Sequence, residues 1–242
     1  MDALPRAVFL TAEWRNLAML NYEIDPAILV PLLPAGCELD TWRGRTFVSV
    51  VGFQFLRTSV LGVPIPFHRD FEEVNLRFYV RRNHDGSWRR GVAFIKELVP
   101  RRAVAFIARA VYGENYVALP MRHAIGEVSD DGLTTHRYEW RRGVWEGLSV
   151  TFSGWPSVPA EDAEESFITE HYWGYARQRD GSTVEYQVEH PRWSVWRAHN
   201  ALLSCDVPTL YGPEFAEALS GAPSTAFVAD GSPIVVRRGR RI

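Results

Sequence analysis

Most of the chain alternates apolar and polar positions with the period of two that marks strands. In the run from Val74 to Arg82, Val74, Leu76, Phe78 and Val80 fall on one side, and Asn75, Arg77 and Tyr79 on the other. The turn Asn83-His84-Asp85-Gly86 follows, and a second run extends from Trp88 to Leu98, giving the clearest hairpin in the sequence. Arg137–Arg142 with Gly147–Ser153 predicts another. Tyr172–Arg179 with Thr183–Glu189, around Asp180-Gly181, predicts a third. Thr46–Leu56 is rich in β-branched and aromatic residues and reads as one long strand, with Gly52 as a bulge candidate.

Helical patterns are few. Asp25 as N-cap and Pro26 at the first helical position predict a short helix through Leu33. Pro100–Tyr112, closed by Gly113, predicts a longer one with Val104, Ile107, Ala108, Val111 and Tyr112 on the face packed against a sheet. Pro213–Leu219, stopped by Gly221, predicts a third, and Pro156–Glu165 reads as a polar loop. These elements predict one α+β domain over residues 1–242, mostly antiparallel sheet curled into a barrel or cone.

Composition narrows the function. A net charge of −2 over 242 residues argues against a nucleic-acid partner, and the basic ending Arg237–Arg241 reads as a solvated tail. No apolar run is long enough to span a bilayer, and the start Met1-Asp2-Ala3-Leu4-Pro5 does not resemble a signal peptide. Cys37 and Cys205, far apart in sequence, are expected to be free thiols of a cytoplasmic protein. Exposed edge strands would permit a homodimer.

Candidate chemistry centres on the first hairpin. Glu73, Asn75 and Arg77 alternate with apolar residues and share one face of a strand. Facing solvent they are ordinary surface residues; facing inward, an acid, an amide and a guanidinium can orient a carboxylate or carbonyl ligand. The hairpin register decides which residue joins them. A two-residue turn at His84-Asp85 places Lys96 opposite Glu73, and one at Asp85-Gly86 places it opposite Asn75. A three-residue turn with Gly86 as a bulge residue, the form favoured by that glycine, places Glu97 opposite Glu73 and turns Lys96 away.

Lys96 is the single lysine among 27 basic residues, so Schiff-base chemistry on a lysine side chain rests on it alone. In Thr169–Tyr175, read as a strand, His171, Trp173 and Tyr175 share a face. There His171 is either a general base or a core histidine bonded to a backbone carbonyl. Glu189-His190 is a second acid–histidine pair with the same ambiguity. The seven histidines show no HxH, HxxxH or HExxH spacing, so no metal is expected. No glycine-rich phosphate loop or nucleophile elbow is present, and no cofactor is expected.

Several segments in order resemble one bacterial family. They are Leu32–Pro34, Val63–His68, Glu73–Val80, Phe94–Glu97, Val99–Arg102, Ala118–His123 and Glu170–Tyr175. Together they are similar to the YqjF-like proteins, domain of unknown function 2071. The resemblance implies an acetoacetate decarboxylase-like fold, a curved β-structure around a small-molecule cavity. In the decarboxylase, a lysine beside a second lysine forms a Schiff base with the substrate ketone. The matching stretch here, Tyr112-Gly-Glu-Asn-Tyr-Val117, carries neither lysine, so that mechanism does not transfer. Glu73 is the match for the decarboxylase's active-site acid.

The sequence therefore points to a β-barrel that binds a small organic acid or carbonyl compound. Glu73, Glu97 or His171 would move a proton, Arg77 would anchor an anionic group, and Asn75, Tyr116 and Tyr175 would add hydrogen bonds. The rival expectation is a non-enzymatic binding or interaction protein whose interior polar groups satisfy only one another. A third reading keeps Lys96 as an unorthodox Schiff-base residue.

Overall fold

Four large apolar side chains on one side of residues 74–80 need cover, and a computed structural model shows what supplies it. It describes residues 6–242, except the side chains at 108 and 110–112. In chain order the first strands are β1 (Val8–Glu23), β2 (Glu38–Leu39), β3 (Phe47–Val60), β4 (Val63–Pro64), β5 (Phe71–His84) and β6 (Ser87–Val99). After the helix Arg102–Tyr112 come β7 (Tyr116–Ala118), β8 (Met121–Val128), β9 (Thr134–Arg142) and β10 (Val144–Phe152). The last are β11 (Trp173–Arg177), β12 (Thr183–Glu189), β13 (Val195–Ser204), β14 (Thr225–Arg237) and β15 (Arg240–Arg241).

Seven strands pair in the order β14-β1-β3-β5-β6-β11-β12, and a short contact of β12 with β14, at Val188 opposite Val236, closes the ring. Neighbours in it are antiparallel except β6 and β11, which are parallel at Gly91 and Trp173. From β14 an arm, β13-β10-β9-β8, folds back over the outside of the ring. Val74, Leu76, Phe78 and Val80 of β5 pack there with Tyr138, Trp140 and Leu148 of the arm. The opposite faces of β1, β3 and β5 send Met19, Phe53 and Tyr79 into a second core inside the ring.

This double cover decides which face of β5 turns inward. Burying four large apolar side chains under the arm contributes about 1.5–3 kcal/mol each. The cost of holding Glu73 and Asn75 inside is reduced by the hydrogen bond from the Asn75 amide to the Glu73 carboxyl, although the Asn75 Oδ1 has no partner among the described residues.

The predicted hairpins form, with Gly143 and Gly181 at left-handed turn positions in the second and third. Gly52 is not bulged: the extra residue lies in β1, near Asn16 (φ 57°), where the register changes between Arg15 and Ala18. What Gly52 provides is space. A Cβ there would come within 2.6 Å of the Tyr138 ring, so its absence lets the arm press onto the barrel.

The early helix forms as Pro26–Leu29 continued by a 3-10 turn, with the Asp25 carboxylate accepting from the Ala27 N–H. Pro213–Leu219 likewise becomes a 3-10 turn followed by the helix Ala216–Ser220. The central helix runs Arg102–Tyr112 and is capped by Gly113, in left-handed backbone (φ 73°). Its packed face differs from the expected one: Ala105 is buried and Val104 half-buried, while Ile107 is exposed. Ala108, Val111 and Tyr112, expected on that face, have side chains outside the described set. The loop expected over 156–165 ends early, since Glu164–Thr169 is helical. The expected tail at 237–241 is no tail: Arg237 closes β14 on Glu189, and β15 pairs with β12. Cys37 and Cys205 are free and half-buried, and burial pushes both thiols up to about 12. Among the described residues, no helix is long and apolar enough to cross a membrane.

Candidate active site

The ring encloses a cavity of about 200 Å³. Trp14, Phe53, Phe55, Phe71 and Trp193 supply much of its wall, with Trp14 edge-on to Phe53 at 5.4 Å. Its polar end is built by the inward row of β5 and by the segment that follows the central helix.

The register of β5 and β6 brings Glu97 into this row by an unexpected route. The turn is the two-residue one at Asp85-Gly86, with His84 opposite Ser87 and both central residues at positive φ. That turn alone would place Lys96 opposite Asn75. A bulge shifts the pairing between Leu76 and Arg77, so that Arg77 faces Phe94 while Leu76 faces Lys96. Glu97 therefore stands opposite Asn75, not Glu73, and Lys96 points to the outer core. There its ammonium donates to the Leu210 carbonyl, and burial with the Arg142 charge lowers its pKa. Lys96 does not line the cavity.

Three carboxyl groups line the polar end of the cavity: Glu73, Glu97 and Glu114. Glu73 is held on both oxygens, by the Asn75 amide at 3.0 Å and the Tyr116 hydroxyl at 3.0 Å. Glu114 accepts from the Tyr186 hydroxyl. Burial raises the Glu73 carboxyl to about 7, although its two hydrogen bonds and the Arg77 charge pull the other way. Burial, opposed by the Tyr186 hydrogen bond and reinforced by the Glu73 charge, raises Glu114 to about 8. Glu97 is raised well above the usual carboxylate range, by burial first and then by the charges of Glu114 and Glu73. Near neutral pH this group holds protons that ordinary carboxylates have lost. Among the described residues, no three His, Cys, Asp or Glu side chains converge to hold a metal ion.

Arg77 supplies the positive charge. Its Nη2 reaches only the Ile168 carbonyl at 3.4 Å, and its buried Nε has no partner among the described residues. It makes no ion pair there, unusual for a guanidinium lining an apolar cavity.

His171 lies between the helical turn Glu164–Thr169 and β11, not on a strand as expected. Its Nε2 contacts the Asp40 Oδ2 at 3.0 Å, and Arg90 donates to the same oxygen at 2.6 Å. Burial lowers the His171 pKa to about 4 against the stabilising Asp40 contact, so the ring is neutral, with its proton on Nε2 facing Asp40. Nδ1 then carries a free lone pair, and it has no partner among the described residues. His190 also lines the cavity, stacked on Trp193 at 4.3 Å, and burial lowers it to about 4.

Six of the expected residues thus line one cavity: Glu73, Asn75, Arg77, Glu97, Tyr116 and His171. Tyr175 does not. It packs in the outer core, and its hydroxyl donates to the Arg89 carbonyl at 3.2 Å. Glu114, Tyr186 and Asp40 were not among the expected site residues. Glu114 had a signal, standing two residues before Tyr116 directly after the helix-ending Gly113. Tyr186 sits in a strand alternation with Val184 and Val188. Nothing local marks Asp40, which meets His171 only through the fold.

The overall fold, a curved sheet closed into a covered barrel, is similar to that of acetoacetate decarboxylase-like structures. An acetoacetate decarboxylase-like enzyme from Sphingomonas wittichii RW1 superposes with a TM-score of 0.67 at 16% identity, over 98% of this chain and 94% of that one. Acetoacetate decarboxylase from Legionella pneumophila gives 0.67 at 14% identity, over 98% and 88%. The enduracididine biosynthesis enzyme MppR, complexed with pyruvate, gives 0.68 at 14%, over 99% and 92%. The chain itself belongs to the family of uncharacterized conserved proteins named DUF2071, whose profile matches residues 11–233. It is 27% identical to the uncharacterized protein YqjF of Bacillus subtilis (strain 168) over 201 residues, 81% of this chain and 78% of that protein.

Proposed function

We propose that this protein binds a small organic acid with a carbonyl group in the barrel cavity and catalyses proton transfer next to that carbonyl. The observation that carries the reading is the juxtaposition of three buried carboxyls, all raised above the usual carboxylate range, with an arginine that makes no salt bridge among the described residues. In this reading Arg77 holds the ligand's carboxylate. Glu73, titrating near 7, is suited to take a proton from the carbon beside the carbonyl. As that C–H bond breaks, its electrons pass to the carbonyl oxygen, and the protonated Glu97 or Glu114 donates a hydrogen bond to the resulting enolate. Neutral His171 offers Nδ1 as a second acceptor. A structural neighbour solved with pyruvate supports the ligand class. Schiff-base decarboxylation finds no support, since the one lysine lies outside the cavity. Two unpaired cysteines favour a cytoplasmic setting.

The test is solvent deuterium exchange. A panel of 2-oxo and 3-oxo acids is incubated with the protein in D₂O and followed by proton NMR. Enzyme-dependent loss of the α-proton signal, abolished in Glu73→Gln, is the expected result. Saturable binding with no exchange on any member would favour the non-enzymatic alternative, and absence of both would overturn the reading.

A further inference from the structure

Away from the cavity, one carboxylate gathers four guanidinium groups. Glu185 of β12 is fully buried, with 0% side-chain exposure. Arg6 reaches it at 3.0 Å, Arg82 of β5 at 3.1 Å, Arg89 of β6 at 2.8 Å and Arg240 of β15 at 3.3 Å. Burial raises the Glu185 carboxyl, but the Arg6 hydrogen bond and the surrounding arginine charges outweigh it and hold it below the usual range. The carboxylate is therefore ionised and answers one of four positive charges. None of the four arginines forms an ion pair with any other acid among the described residues.

Three uncompensated charges in one place are a cost that a purely structural cluster would avoid. Arg82 and Arg89 stand directly opposite each other on adjacent strands, an arrangement that like charges disfavour. The cluster is also short of acceptors. Each guanidinium offers five N–H donors, yet Arg82 and Arg89 each give one to a protein oxygen of Glu185, and Arg6 gives it two. All four arginines remain partly open to solvent. Trp173 fixes two of them from one side, with Arg89 at 4.3 Å and Arg6 at 5.9 Å from its ring centre.

We propose that this arginine cluster is a binding site for a multivalent phosphate-type oxyanion. A tetrahedral anion with two or three negative charges matches the surplus charge and offers enough oxygens for several guanidinium forks at once. The source is either a free anion or the phosphate chain of a larger molecule. None of the four arginines lines the cavity, so the site stands independently of the barrel reading.

Isothermal titration at low ionic strength tests it with three probes: inorganic phosphate, pyrophosphate and a nucleoside triphosphate. Saturable one-to-one binding of at least one probe is expected, weakened about tenfold or more in Arg240→Gln. Equal affinity for pyrophosphate and the triphosphate identifies a free anion as the ligand; a clear preference for the triphosphate identifies a larger molecule. Arg240 lies on the partly exposed terminal strand, so its variant is expected to fold, and its unliganded melting temperature checks this. Arg82→Gln gives a second reading from the opposite side of Glu185. Absence of saturable binding for all three probes would overturn the proposal, as would wild-type affinity in both variants.

Discussion

Lys96 and Glu97 are adjacent in sequence and lie in different cores. The bulge opposite Leu76 and Arg77 sends Glu97 into the cavity beside Asn75 and leaves the Lys96 ammonium on the Leu210 carbonyl. The chain's one lysine is thus held away from any ligand in the barrel. Borohydride reduction with keto acids or aldehydes is expected to leave no adduct on Lys96 in intact-mass spectra. Lys96→Arg should preserve ligand binding and any exchange activity. A reduced adduct mapped to Lys96 would overturn this assignment.

Among the described residues, Arg77 is the one arginine or lysine lining the cavity, and it makes no salt bridge, so its loss leaves no buried carboxylate without an ion-pair partner. Arg77→Ala is therefore expected to fold with nearly wild-type stability and to bind an anionic ligand about 10- to 100-fold more weakly. Calorimetric titration alongside a thermal melt separates the two effects. Unfolding of the variant would make Arg77 a structural residue.

Much of this geometry was legible in the chain because strand alternation is a local property. The row Glu73-Asn75-Arg77 and the hairpin partner of β5 follow from a period of two and one turn. Which face turned inward was not legible, since it depends on an arm more than forty residues downstream that covers Leu76 and Phe78. The bulge in β6 was equally hidden: Gly86 announced a tight turn, but no residue near Ile95 announces an extra position. The same holds for His171, expected on a strand, because its loop is set by a helical turn that packs Phe167 on its ring.

Gly174 shows how little space the site leaves. A Cβ there would lie 2.1 Å from the Tyr186 ring, whose hydroxyl bonds Glu114. Gly174→Ala must push that ring aside, costing about 1–3 kcal/mol. A lower melting temperature is expected, together with a further rise in the Glu114 pKa visible by carboxyl NMR. An unchanged titration would mean that Tyr186 does not hold Glu114 in solution.

The buried carboxyls set a sign for stability against pH. Glu73 and Glu114 titrate near 7 and 8 in the fold, against 4.5 for an unperturbed glutamate. As pH rises above about 4.5, the unfolded chain releases these protons first, so stability falls until the folded groups have also ionised. His171 and His190 act oppositely, adding stability as pH rises from about 4 to 6.5. Above 6.5 the histidine contribution is complete and the carboxyls remain. The melting temperature is expected to fall between about pH 6.5 and 8, and to fall less in Glu114→Gln. Equal slopes for the two proteins would show that Glu114 is not protonated at neutral pH.

Asp40 acts on the cavity only through His171. It accepts from His171 Nε2 at 3.0 Å and from Arg90 at 2.6 Å, which fixes the imidazole tautomer and leaves Nδ1 unprotonated. Replacing it by Asn removes the negative charge facing Arg90 and lets the amide offer a proton to Nε2, which would drive the imidazole proton to Nδ1. The loss of a buried charge partner costs about 3 kcal/mol of stability. Beyond that cost, Asp40→Asn is expected to change the nitrogen-15 shifts of His171 from the Nε2–H to the Nδ1–H pattern. A merely structural role would lower the melting temperature and leave the tautomer as it was. Asp40→Glu, which keeps the charge, should retain the Nε2–H signature and so distinguish positioning from packing.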